Sequence, residues 1–177
     1  MAHPYLHDFR TSIIQFTKVD LNWFFDQWLD TNKDLDYAIG KVKKMENDTF
    51  EITVIRKGEM EMPIDLTIDS EFGLRYNYHI PNKWFVKDEK NMGVVLPKWT
   101  GYGHLNKEYT FKAHVPSGVK NIMIDLSERL ADSYAIDNNY KGNIDFSIDY
   151  GVRKWSNLRK YELQARPDLW YNSYDGM

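Results

Sequence analysis

Residues 21–39 read LNWFFDQWLDTNKDLDYAI, and within them the spacing of the apolar side chains changes from helical to extended. Leu21, Phe24, Phe25, Trp28 and Leu29 recur as the stripe on one face of an α-helix, with Asp20 placed before them to cap its N-terminus. After DTNKD the period becomes two: Tyr37, Ile39 and Val42 open a strand-like run. A helical unit therefore ends at Asp30 and an all-β unit begins near Asp34.

Upstream, the spacing of Leu6, Phe9, Ile13 and Phe16 predicts a helix over 4–16, with Pro4 in its first turn. Two short helices have little to bury the Phe24, Phe25 and Trp28 stripe against, which calls for a larger neighbour. Downstream, Asn47-Asp48 marks a turn, and Phe50, Ile52 and Val54 alternate beyond it. Met60, Met62, Ile64, Leu66 and Ile68 alternate in their turn, with Pro63 on the outward phase marking an edge or a bulge. Further strands are expected at 75–80, at 109–115 with Tyr109, Phe111, Ala113 and Val115 on one face, and at 120–126 with Ile122, Ile124 and Leu126 inward. Residues 82–107 read as a long loop with a short strand at 94–96. SERLADSYAIDNNY reads as the close of the β unit. The fold class expected is mainly β: an immunoglobulin-like β-sandwich over 34–140, preceded by a short N-terminal helical hairpin over 1–33 and followed by an extended tail over 141–177.

Composition narrows the function classes. The chain of 177 residues carries a net charge of −3, which supplies no basic face for nucleic acid. Its lack of cysteine excludes disulfides, thiol nucleophiles and Cys-ligated metals. No apolar run reaches membrane-spanning length, and the first residues lack the layout of a signal peptide; localisation stays unread. Aromatic residues make up 15%, a large supply of buried area with polar handles.

The stretch HPYLHDFRTSIIQFTKVDLNWFFDQWLDTNKDLDYAIGKV, with MPIDLTI and IMIDLSERLADSYAIDNNY after it, resembles M1-family zinc aminopeptidases where the catalytic domain's last helices run into a small β-sandwich. The resemblance covers residues 3–140, the helix-to-strand junction being its most specific part. It implies a parent protein that removes N-terminal residues from peptides with a zinc-activated water. This chain would be a non-catalytic region supporting the neighbouring catalytic domain. The resemblance implies zinc in the parent but no cofactor here, because the H-E-x-x-H motif is absent. His3 and His7 have its spacing, yet Pro4 stands where the general base belongs. GEMEM at 58–62 approaches the family's G-x-M-E-N motif, but Met62 replaces its Asn and burial of Met60 and Met62 explains the phase; Gly58 is read as serving the turn.

No catalytic residue is assigned. DTNKDLD begins like an EF-hand loop but lacks the required Gly and Glu, Lys41 standing at the last ligand position. Carboxylates at Asp26, Asp30, Asp34 and Asp36, and at Asp65 and Asp69, read as solvated faces. G-x-S-x-G, phosphate-loop and S-x-x-K patterns are absent. Two surfaces remain as candidate partner contacts: Phe24, Phe25 and Trp28 on the helix, through which copies could also self-associate, and Trp84, Phe85, Trp99 and Tyr102 on the loop. The loop aromatics either plug the sandwich end and pack on a neighbouring domain, or make this a free-standing module holding a glycan or a protein.

Overall fold

The computed structural model describes residues 5–87, 93–101, 105–141, 144–148 and 160–165. Two helices, α1 (Leu6–Thr17) and α2 (Asn22–Leu29), precede strands β1 (Tyr37–Lys44), β2 (Thr49–Arg56), β3 (Ile64–Ser70), β4 (Arg75–Ile80), β5 (Val94–Val95), β6 (Glu108–His114) and β7 (Val119–Ile124). The protein is mainly β. One sheet has the order β1-β2-β6 and the other β5-β4-β3-β7. Their inward rows form a single core, with Phe50, Ile52, Val54 and Phe111 from the first sheet meeting Ile64, Leu66, Ile68, Ile80, Ile122 and Ile124 from the second.

The alternation seen in sequence sets these faces, and burial along β2 follows it residue by residue. Asn47 and Asp48 both adopt positive φ, as a tight hairpin between β1 and β2 requires. A register shift between Ile39 and Val42 is a bulge that keeps both half-buried side chains against the core. The expected edge at Pro63 is not found. Pro63 stands just before β3, which lies between β4 and β7, so no ladder hydrogen bond is lost. The inward Leu126 is also corrected: β7 ends at Ile124, Asp125 turns the chain at φ 48°, and Leu126 is 43% exposed.

The closing segment joins the two sheets. Ile39 N donates to Asp137 O at 2.9 Å, while Ile124 N donates to Asn138 O at 2.9 Å and Tyr140 N to Ile122 O at 2.9 Å. Tyr37 is a second tie. Its buried hydroxyl accepts from Met62 N at 2.9 Å and lies 3.3 Å from Met60 O; burial pushes the phenol above its usual range. Part of the expected tail is paired: β8 (Ile144–Ile148) and β9 (Tyr161–Ala165) form a parallel ladder, and the rest of 141–177 lies outside the described residues. No helix among the described residues is long and apolar enough to cross a membrane.

Candidate docking surface

The N-cap of α2 is Leu21 and not the expected Asp20, and it makes no side-chain capping bond; Asp20, one residue earlier, accepts at Oδ1 from Asn22 N at 3.0 Å. The face that α2 presents to the sandwich is not the expected one. Trp23 and Gln27, one helical turn apart, are buried against it. Gln27 Oε1 accepts from Glu61 N at 2.8 Å, and Gln27 Nε2 donates to Trp23 O at 3.0 Å. A glutamine in the middle of an apolar stripe hides that face from any hydrophobicity pattern.

The predicted contact residues separate accordingly. Phe25 is buried beneath α1, its ring meeting Phe9 edge-on at 6.0 Å, and the Arg10 guanidinium lies 5.9 Å from its centroid. Trp28 is half-buried, while Phe24 and Leu29 reach solvent. On the loop, Trp84 lies nearly parallel to Trp23 at 5.6 Å and carries the Lys83 ammonium 4.0 Å from its centroid. Phe85 packs on Trp23 at 6.3 Å. Trp99 is a core residue instead of a surface contact, donating its indole N–H to Asn106 O at 2.8 Å. Tyr102 lies outside the described residues. The structure thus brings Trp84 and Phe85 to the helix through Trp23, and takes Trp99 away from them.

A buried ionic network lies beneath this junction. Glu61 approaches Arg56 at 3.6 Å and Lys83 at 3.1 Å, and the Arg56 guanidinium lies 5.9 Å from the Trp99 centroid. Asn82 Nδ2 holds Glu61 O at 3.0 Å, while Asn82 Oδ1 accepts from Trp84 N and Phe85 N. Glu61, whose amide bonds Gln27 of α2, is thereby tied through its carbonyl to Asn82, which orders the aromatic loop.

The surface left over is on α1. No residue of α1 is buried, and Phe16 is 89%, Leu6 54% and Phe9 51% exposed. Salt bridges from Arg10 to Asp26 at 2.6 Å and to Asp30 at 3.5 Å hold α1 beside α2. The α1 stripe of Leu6, Phe9, Ile13 and Phe16 is visible in the sequence by its helical spacing. An open groove of about 460 Å³ lined by Lys43, Met45, Glu46, Thr49 and Lys112 lies elsewhere and gathers no catalytic constellation.

On the outer face of the second sheet, His79 Nδ1 pairs with Asp65 Oδ1 at 2.7 Å, and Lys87 Nζ reaches Asp65 Oδ2 at 3.2 Å. The His79 hydrogen bond, opposed by burial and aided by Lys87, holds the Asp65 carboxyl below its ordinary 3.8. A carboxyl lowered in the native state stabilises the fold above the unfolded value, and that gain is lost as pH falls through the native value. Asp65→Asn should therefore cost about 0.5–1 kcal/mol at pH 7, discounted because the carboxylate is partly solvated. Urea unfolding should show the gap to wild type closing below pH 3.8; an equal gap at both ends of the range would disprove the assignment.

Among the described residues no group of three or more His, Asp or Glu side chains is placed to hold a metal ion. No protein-family model, curated protein or solved structure matches the chain.

Proposed function

We propose that this chain is the non-catalytic, immunoglobulin-like β-sandwich region of an M1-like zinc metallopeptidase, and that its helical hairpin seats against the catalytic domain of the parent protein. The observation that carries this reading is α1, an amphipathic helix of 12 residues with no buried side chain. Helices of this length gain most of their stability from tertiary packing, and a cluster of exposed large apolar side chains marks a contact surface. The zinc chemistry of the parent follows from the sequence resemblance. This chain supplies support for that domain and no reaction of its own. The glycan-module reading has less behind it, because the Trp84 ring already carries Trp23 and Lys83.

Phe16→Asp tests the reading in the isolated chain and in the full-length parent. Phe16 is 89% exposed, so the isolated chain should keep its stability within about 0.5 kcal/mol. The parent should lose about 2 kcal/mol or more, as expected for a charge placed in a buried apolar contact. Thermal unfolding of both proteins reads the difference, and equal insensitivity of both would overturn the proposal.

A further inference from the structure

β6 stands at the edge of the first sheet, last in the order β1-β2-β6. Among the described residues β6 pairs only with β2. Its hydrogen-bonding phase is fixed by two flanking bonds, Arg56 N to Lys107 O at 2.8 Å and Val115 N to Asp48 O at 2.9 Å. Both belong to the same pairing series as Thr53↔Thr110. In an antiparallel ladder, bonded and non-bonded pairs alternate. Odd-numbered residues of β6 therefore turn their amides and carbonyls toward β2, and Glu108, Thr110 and Lys112 turn theirs outward.

We infer that two copies join antiparallel through these outward groups about a two-fold axis at Thr110. In that register Glu108 lies opposite the partner's Lys112, Lys112 opposite the partner's Glu108, and Thr110 opposite the partner's Thr110. Two opposite-charge pairs and a Thr–Thr pair are favoured cross-strand combinations. Both rows also continue ones already inside the sheet. Thr110 Oγ1 lies 3.0 Å from Thr53 Oγ1, so the threonine pairing extends across the axis. Lys43, Glu51 and Lys112 sit side by side in the ladder with alternating sign, and the partner's Glu108 extends the alternation. Sliding the strands by one bonded pair in either direction loses both Glu–Lys pairs. An interface that meets itself in this way closes as a dimer and removes the exposed edge. It is separate from the helical face, so its failure leaves the proposed function standing.

Sedimentation velocity on the whole chain tests the interface with Glu108→Lys and Lys112→Glu. The wild type should self-associate as concentration rises. Each variant alone should dimerise about tenfold more weakly or worse, because two like-charge pairs replace two attractive ones. An equimolar mixture of the two variants should recover dimers, since each copy then presents the charge the other lacks. Both side chains are exposed, and circular dichroism checks that each variant folds. A wild type that stays monomeric up to about 1 mM, association unchanged in both variants, or a mixture that fails to recover would each overturn the inference.

Discussion

Glu61→Ala is expected to cost about 3–5 kcal/mol of folding stability, the range for removing one partner of a buried ion pair. The Arg56 side chain is only 3% exposed and that of Glu61 9%, so the substitution takes a counter-charge away from a buried guanidinium. Lys83, more exposed at 29%, can turn toward solvent and should add little to the loss. The pair itself is not the source of most of that cost: two buried charges exchanged together for apolar groups of similar volume are often neutral or stabilising. The double variant Glu61→Leu with Arg56→Met should accordingly recover most of the stability lost in Glu61→Ala. Urea denaturation of the two proteins measures both effects. A single variant within about 1 kcal/mol of wild type would show that the pair is solvated and the burial argument wrong.

The position of Glu61 matters beyond its charge. Its amide is held by Gln27 of α2 and its carbonyl by Asn82, which also orders Trp84 and Phe85. One residue between β2 and β3 therefore registers the helix and the aromatic loop on the sandwich. The exposed face of α1 is presented at a fixed angle because α1 rests on α2 through Phe9, Phe25 and Arg10. Stability at Glu61 and docking by the helices are linked through this chain of contacts.

Much of this architecture is visible in the residue pattern where burial follows a simple period. Phe50, Ile52 and Val54 in β2 and Phe111 and Ala113 in β6 reveal their core face, because each strand has one wet side. The buried face of α2 is not legible in the sequence because a buried polar side chain decides it: Gln27 is inside on account of the backbone amide of Glu61, outside the helix. The central place of β3 and the end of β7 at Ile124 depend on pairing across the sheet, which local alternation does not record. The β8–β9 pairing is parallel and so has no hairpin turn to announce it in the sequence. Among the candidate contacts, Trp84 and Trp99 look alike in sequence. Only the acceptor at Asn106 for one indole and the Trp23 ring beneath the other tell them apart.

Gly58→Ala is expected to lower stability by about 2–3 kcal/mol, the upper part of the range for overpacking a tight interior site. The reason is close approach rather than a special turn conformation. Gly58 does not lie in the left-handed region, and its N–H donates to Asp36 O at 3.0 Å. The neighbouring amides of Lys57, Glu59 and Met60 bond to Asp36 O and Asp34 O, so residues 57–60 run flush against the entry to β1. A Cβ at Gly58 would sit 2.6 Å from Asp34 O and 2.7 Å from Asp36 N. Those are backbone atoms that cannot rotate away. The entry strand would have to shift and carry with it Leu35, which is 2% exposed, and Tyr37, whose hydroxyl holds Met60 and Met62. The melting temperature should fall by about 5–10 °C for a chain of this size. The same measurement decides how GEMEM is to be understood. A glycine kept so that two backbone segments can touch does not tolerate alanine, and a melting temperature unchanged in Gly58→Ala would overturn that account.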